Sequence, residues 1–260
     1  MKKIFNYLFN NNFFLNKSLI IERMEVDFIF SRLLNKKKLR ILDVGAHHGE
    51  FLDIFSNLKF GNIQQKFQVF CFEPFLDNFN IIKKKLKNIS TNVKPHIYNF
   101  AISNKTHKKL FYVGSSDTLI TCETRWLKKF KKDFSNYKKK LMECLTFNDF
   151  IEQYKFDVRP EIDLLKIDVE GHDLVVLRNI LENNIKVNSI MIEFDSNNLT
   201  IMKNIISYLK IKKFEKIFIF GRSGICTSYI GQYETNNALL KIIKNNRIQG
   251  GNIVSFKKNI

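Results

Sequence analysis

From residue 39 onward, short apolar segments alternate with amphipathic segments of helical length, and this alternation constrains the fold more than any other feature of the chain. The apolar segments are 39–44, 67–73, 96–102, 162–168, 188–194, 214–220 and 252–257, and the helical segments are 49–58, 77–88, 147–154, 173–183 and 197–210. Parallel strands joined by right-handed helical crossovers have this pattern. The sequence therefore predicts a doubly wound α/β domain with a Rossmann-like sheet.

Two regions flank or interrupt the alternation. Residues 1–38 are predicted to be an N-terminal helical extension, with Met24, Phe28, Ile29 and Leu33 at helical spacing. No proline-rich linker or internal repeat divides the rest, so residues 39–260 are predicted to be one domain.

The middle section 103–160 is less regular, with a strand expected at 109–113, a lysine-rich part at 126–140 and a short helix at 147–154. It is predicted to be an insertion over the site. Within it, the segment 103–140 with Ser115, Ser116 and Thr118 is a candidate for acceptor selectivity, because loops over a fixed scaffold carry variation. The alternative is a mobile, solvated loop.

Charge and cysteine spacing narrow the functional classes. The net charge of +18 would attract nucleic acid, an anionic membrane surface or an acidic glycan, although lysines on a solvated surface produce the same value. No apolar run approaches the roughly 18 residues of a membrane-spanning helix, and no secretory signal is expected. Four widely spaced cysteines in 260 residues favour a reducing cytoplasm over a disulfide framework.

Two turns after predicted strands indicate an adenosine pocket. Strand 39–44 is followed by two glycines, Gly45 and Gly49, in a spacing that differs from the G-x-G-x-x-G of dinucleotide sites and favours a ligand without phosphate. The next strand delivers Glu73 and Pro74, and a carboxylate there can accept hydrogen bonds from both ribose hydroxyls.

A third turn, after strand 162–168, carries Asp168, Glu170 and His172 in front of a helix. These side chains are candidates for proton transfer on a rigid turn. The structural alternative is that Asp173 caps the helix and Glu170 is a surface residue.

Six segments together resemble the FkbM-type family of S-adenosylmethionine-dependent methyltransferases. In chain order they read ILDVGAHHGEF, CFEPFLDNF, NFAISN, LTFNDFIEQY, IDLLKIDVEGHDLVVL and SIMIEFD, within residues 39–195. The segment KIDVEGHD is the most diagnostic of them. The resemblance implies a seven-stranded sheet, mostly parallel with one antiparallel strand, and helices on both faces.

The resemblance also implies a cofactor site for S-adenosyl-L-methionine. The implied contacts are Asp43, Gly45, Ala46 and Gly49 at the methionine turn, Glu73 and Pro74 at the ribose, Asn99 to Ala101 near the adenine, and Asp168 beside the methyl group. His47 departs from the family's usual asparagine, and Asp173 stands where glutamate is usual.

The reaction that follows is methyl transfer to a hydroxyl oxygen, with Asp168, Glu170 or His172 as the base. The resemblance points to sugars, polysaccharides or small natural products as acceptors, and a basic rim would suit an acidic saccharide. Two alternatives stay open. An RNA ribose 2'-O-methyltransferase would use the positive charge together with Lys166, Asp168 and Glu193, and a non-catalytic scaffold would keep only the fold.

No metal site is predicted. Adjacent His47 and His48 lack further ligands in the sequence, and magnesium at Asp168, Glu193 and Asp195 is a minor alternative.

Overall fold

Two β-sheets and eight α-helices make up the described part of the chain. The structure is a computed structural model and describes residues 23–33, 36–57, 65–114, 119–129, 136–196, 198–223, 226–245, 248 and 250–257. The strands are β1 Lys38–Val44, β2 Lys66–Phe72, β3 Val93–Tyr98, β4 Ala101–Ile102, β5 His107–Val113, β6 Ile120–Thr121, β7 Lys138–Leu145, β8 Ile162–Ile167, β9 Val187–Asp195, β10 Phe214–Ser223, β11 Cys226–Gln232 and β12 Gly250–Lys257.

The large sheet has the strand order β11-β10-β12-β9-β8-β1-β2-β3. Neighbouring strands from β3 to β9 pair in parallel, whereas β12 pairs antiparallel with both β9 and β10. The doubly wound α/β class is therefore confirmed. The expected count of seven strands with one antiparallel is corrected to eight with two, because β11 adds an antiparallel edge strand. Its sequence, CTSYIGQ, lacks the apolar run by which buried strands are detected.

Helices cover both faces of this sheet, as predicted. They are α1 Arg23–Phe30, α2 Glu50–Asn57, α3 Leu76–Lys85, α4 Thr124–Lys129, α5 Phe147–Tyr154, α6 Asp173–Leu181, α7 Leu199–Ile211 and α8 Asn236–Asn245. Because strand residues alternate between faces, Leu42 and Val44 of β1 pack with residues of α5 to α8, while Leu39 and Ile41 pack with residues of α1 to α3.

Helix α1 packs on the second face of the large sheet. Val26, Ile29 and Phe30 are completely buried, and the Phe28 ring lies 4.9 Å from that of Phe218. Residues 1–22 of the predicted N-terminal extension lie outside the described residues, and the boundary at residue 38 stays a prediction. Within the described ranges, no helix has the length and apolar character needed to span a bilayer.

The small sheet, in the order β4-β7-β5-β6, comes from the region predicted as an insertion. The expected strand 96–102 in fact divides: β3 stays in the large sheet, Asn99 and Phe100 form a bend, and β4 pairs with β7 through Ala101 and Cys144. This bend turns the chain out of the large sheet and brings the small sheet to the ends of strands β1, β2 and β8.

Candidate active site

A cavity of about 430 Å³ lies where the carboxyl ends of β1, β2 and β8 meet the small sheet. Parallel strands present their carboxyl ends at one edge, and a crevice at that edge is the usual ligand site of open α/β sheets. The three turns singled out in the sequence all contribute to it: Gly45, Glu73 and Asp168 line the same cavity.

The turn after β1 depends on Gly45. Its φ is +81°, and its N–H donates to the Phe72 carbonyl oxygen at 3.0 Å. A Cβ atom at this position would lie 1.8 Å from the Asp168 carbonyl oxygen. Gly49 also has a positive φ, +77°, but a Cβ there would come no closer than 3.4 Å to a neighbour. Gly45 therefore permits contact between two backbone turns, and Gly49 only a left-handed conformation.

Glu73 is held at the cavity wall by backbone amides. Its Oε2 accepts the His47 N–H at 2.8 Å, and its Oε1 accepts the Phe75 N–H at 2.9 Å. Burial raises the pKa of Glu73 to about 7. Asn99 donates through Nδ2 to the Glu73 and Pro74 carbonyl oxygens at 2.9 and 3.1 Å, so it supports this turn from behind.

Lys166 connects the first and third turns. Its Nζ donates to the Gly45 carbonyl oxygen at 2.6 Å and lies 3.2 Å from Asp43 Oδ1 and 3.8 Å from Asp168 Oδ2. Burial raises the pKa of Asp43 to about 6, although the Lys166 charge opposes this shift. Asp43 is only 1% exposed, and it reaches the site through Lys166.

The turn after β8 is sharp because consecutive residues adopt left-handed backbone. Glu170 has a φ of 50° and Gly171 a φ of 94°. Asp173 closes the turn by accepting the Val169 N–H at 3.1 Å and the Gly171 N–H at 3.0 Å. Burial, with the nearby Asp168 charge, raises the pKa of Asp173 to about 6. The result is that Asp168 and Glu170 both line the cavity.

The segment between β6 and α4 fastens this turn from outside. Thr121 Oγ1 donates to the Glu170 carbonyl oxygen at 2.8 Å, and Arg125 donates to the Gly171 carbonyl oxygen at 2.9 Å. A Cβ on Gly171 would lie 1.6 Å from Trp126 Nε1, so only glycine allows the indole to pack here. The predicted insertion therefore also supports the turn after β8.

His172 is engaged through both ring nitrogens. Nδ1 lies 2.7 Å from Glu123 Oε1, and Nε2 lies 3.1 Å from Ser103 Oγ. Burial by itself lowers the pKa of His172, but hydrogen bonds with Cys122 and Glu123 outweigh it and raise the pKa to about 9. The ring joins the turn to the small sheet, and such a protonated, hydrogen-bonded imidazole is better suited to positioning than to accepting a proton.

The predicted site residues fall into two groups. Those that line the cavity are Gly45, Ala46, Glu73, Pro74, Ala101, Asp168, Glu170 and His172. Asp43, Gly49 and Asn99 lie behind the wall and support it.

One wall of the cavity comes from the insertion expected over the site, but its residues were not singled out in the sequence. The small sheet and its connections contribute Ser103, Lys109, Phe111, Ile120, Cys122 and Cys144. The alternation of Lys109, Phe111 and Val113 along β5 shows that these residues share a face, but not which face meets the cavity. Ser115, Ser116 and Thr118 lie outside the described residues.

Lys109 differs from the other cavity lysine, Lys166, in its surroundings. Lys166 is tied to Asp43 and Gly45, whereas Lys109 has no ion pair with any side chain that the structure describes. Its charge acts on the pKa values of both Glu123 and His172, which places it at the small-sheet end of the cavity.

Further groups bear on metal binding. Oxygen atoms of Asp168, Glu170 and Glu193 lie within 4.8 Å of one another, and Asp195 is not part of this group. The rings of His47 and His48 stack at 3.8 Å, and His47 Nδ1 lies 3.0 Å from Glu50 Oε1. The magnesium alternative stays a prediction.

Comparison with known proteins places the chain in a family. A sequence model described as "Methyltransferase FkbM domain" matches residues 43–216. The TSET complex member tstB of Dictyostelium discoideum is 32% identical over 40% of this chain, which spans 14% of that protein's length.

Among solved structures, the methyltransferase FkbM of Methylobacillus flagellatus aligns with a TM-score of 0.44 and 17% identity, over 85% of this chain and 44% of its own length. An rRNA methylase of Streptococcus thermophilus aligns with a TM-score of 0.48 and 10% identity, over 95% of this chain and 99% of its own length. Because the family model covers more than half of the sequence, this chain belongs to the FkbM methyltransferase domain family.

Proposed function

We propose that this protein transfers the methyl group of S-adenosyl-L-methionine to a hydroxyl oxygen of an acceptor that carries a negative charge, with acidic saccharides as the favoured class. The observation that carries this proposal is the convergence of Gly45, Glu73 and Asp168 on one cavity. The cytoplasm is the proposed compartment, in keeping with the free thiols of Cys71, Cys122 and Cys144.

The residues at the cavity fit the cofactor. Each Glu73 oxygen accepts one backbone N–H, and a carboxylate oxygen has capacity for a second bond, so both ribose hydroxyls can donate to this side chain. Phe51, Phe72 and Ile102 provide apolar wall for the adenine. The carboxylates of Asp168 and Glu170 are of the right charge to face a sulfonium.

When bound, the cofactor supplies a methyl group on a positively charged sulfur, and a hydroxyl acceptor must lose one proton during the transfer. Asp168 and Glu170 are the proposed proton acceptors, because both line the cavity on a turn held by Asp173. His172 is a positioning residue, since its ring holds this turn to Glu123 and Ser103.

Lys109 is the proposed contact for the acceptor's negative charge. It is partly buried and lines the same wall as Phe111, Ile120 and Cys144, and no carboxylate that the structure describes lies within ion-pair distance of it. A cation in such surroundings gains more from an anionic ligand than a solvated surface lysine does. This supports an acceptor with a carboxylate or sulfate group near its hydroxyl.

Titration calorimetry with S-adenosyl-L-methionine tests the cofactor site. Glu73→Ala should weaken binding at least about tenfold, because it removes charge-assisted hydrogen bonds to the ribose. Glu143→Ala is the matched control, since Glu143 is exposed and its ion pair in the described structure is with Lys108, on the outer face of the small sheet. Equal affinity of Glu73→Ala and wild type would refute the site, and absence of binding by wild type would support the scaffold alternative.

Radiolabelled methyl transfer tests the acceptor, with oligogalacturonate, neutral dextran oligosaccharides and mixed-sequence RNA as probes. We expect the wild-type protein to transfer label to oligogalacturonate, and Asp168→Ala to lose turnover. Lys109→Gln should raise KM for the anionic probe about tenfold with little change in kcat, whereas Lys108→Gln, whose side chain is 66% exposed, should not. Labelling of RNA alone, weakening as salt rises, would select the RNA methyltransferase instead.

A further inference from the structure

Cys122, Glu123 and His172 bring three kinds of metal ligand together at the small-sheet end of the cavity. The thiol sulfur, a carboxylate oxygen and a ring nitrogen lie within 4.8 Å of one another. His172 is 7% exposed, and the other two are half-buried. We propose that these three side chains bind one zinc ion.

The ligand types favour zinc over the alternatives. Thiolate, imidazole and carboxylate are the three side chains that zinc accepts, whereas magnesium selects oxygen atoms alone. The thiolate and the carboxylate together neutralise the two charges of the ion. Consequently zinc and its three ligands would carry no net charge in this partly buried site. The charge of Lys109, which lies nearby, is not part of this balance.

The present contacts need only small adjustments. His172 Nδ1 and Glu123 Oε1 are 2.7 Å apart, and the Cys122 sulfur lies with the other two ligand atoms inside 4.8 Å. Ligand atoms of a tetrahedral zinc site lie roughly 3.4 Å apart, as bond lengths of about 2.0 to 2.3 Å require. A bound ion would displace the proton of this hydrogen bond and the proton of the Cys122 thiol, and side-chain rotations would bring the three ligand atoms from within 4.8 Å to that spacing.

Supporting contacts already orient the ligands. The second ring nitrogen of His172 lies 3.1 Å from Ser103 Oγ, and zinc-binding histidines characteristically make such a bond with the nitrogen that does not bind metal. Thr121 Oγ1 accepts the Glu123 N–H at 3.0 Å and donates to the Glu170 carbonyl oxygen at 2.8 Å. These two bonds fix the Cys122–Glu123 backbone against the turn that carries His172.

The location gives the ion a role that rests on the proposed function. Cys122 and His172 both line the cavity, and three protein ligands leave a fourth position for an oxygen ligand. An acceptor hydroxyl there would lose its proton more easily. Zinc binding itself does not depend on methyl transfer and is measured separately from it.

The test is metal content and spectroscopy of the untagged full chain. After incubation with Zn²⁺ and gel filtration, elemental analysis should find about one zinc per chain, and Co²⁺ in its place should show a thiolate-to-cobalt charge-transfer band. Cys122→Ser should abolish the band. The single variants Cys122→Ser and His172→Gln should each reduce the zinc affinity at least about tenfold. Cys71→Ser is the control, because Cys71 is a buried thiol of β2 outside the group.

Circular dichroism confirms that each variant is folded before metal is added. Wild-type protein without zinc, zinc without a thiolate band on Co²⁺ exchange, or full affinity in Cys122→Ser would each overturn the proposal. The band distinguishes this site from the group of His47, His48 and Glu50, which contains no sulfur. Normal cofactor binding with no zinc would refute the metal site and leave the proposed function standing.

Discussion

Replacing Gly45 by alanine should disable the cofactor turn much more severely than the same change at Gly49. Both glycines have left-handed backbone, with φ values of +81° and +77°. An alanine in that conformation costs about 1 to 2 kcal/mol, partly offset by the lower entropy of the unfolded alanine chain. This net backbone cost applies to both variants. For Gly49→Ala it is the main cost, so the free energy of unfolding should fall by only about 1 kcal/mol.

The positions differ in what the new methyl group meets. At Gly49 the nearest atom is an Ile82 side-chain carbon at 3.4 Å, an ordinary contact. At Gly45 it is the Asp168 carbonyl oxygen at 1.8 Å, whereas real Cβ atoms essentially never approach closer than 3.0 Å. The obstacle is backbone, so one of the two turns must shift by more than an ångström. Such overpacking adds about 1 to 3 kcal/mol.

The expected outcome is that the free energy of unfolding of Gly45→Ala is about 2 to 4 kcal/mol below that of wild type, and that its cofactor affinity falls at least about tenfold, because the shift moves groups on both sides of the ligand. Urea unfolding and titration calorimetry measure the two effects. If both alanine variants unfold within about 0.5 kcal/mol of each other and bind cofactor equally well, the proposed contact between the turns is wrong.

Other perturbations probe the charges around the site. Lys166→Met should cost about 3 to 5 kcal/mol in urea unfolding, because it leaves Asp43 buried without its cation, and adding Asp43→Asn should recover most of that loss. Asp173→Asn should cost about 1 to 3 kcal/mol, since the amide NH₂ cannot accept a turn N–H; an unchanged unfolding midpoint would contradict this. The pKa of Glu73 is raised from 4.5 to about 7, so its contribution to the stability of cofactor-free protein is fully present below about pH 4.5 and is lost as pH rises through about 7. The loss amounts to as much as about 3 kcal/mol of the free energy of unfolding. It would be refuted if this free energy changed with pH by the same amount in wild type and Glu73→Gln between about pH 5 and 8.

Much of the fold was predictable because its determinants are local. An apolar strand followed by an amphipathic helix repeats along the chain, and the right-handed crossover rule converts that repeat into a parallel sheet. Strand β11 escaped prediction because its residues show no apolar run, although Tyr229 and Ile230 pack against the two core clusters of the large sheet. The division of 96–102 between two sheets escaped for another reason: the bend at Asn99 is held by hydrogen bonds to the Glu73 turn, which is distant in sequence.

The same distinction applies to the site. The sequence by itself determined which tips carry Gly45, Glu73 and Asp168, because carboxyl ends of parallel strands meet at one edge whatever else the chain does. Only the tertiary structure decided the opposite wall. Lys108 and Lys109 are adjacent and chemically identical, yet one pairs with Glu143 at the surface and the other faces the cavity. Successive side chains of a strand point to opposite faces, so Lys108 and Lys109 lie on different faces of β5. The packing of the small sheet decides which of the two faces meets the cavity.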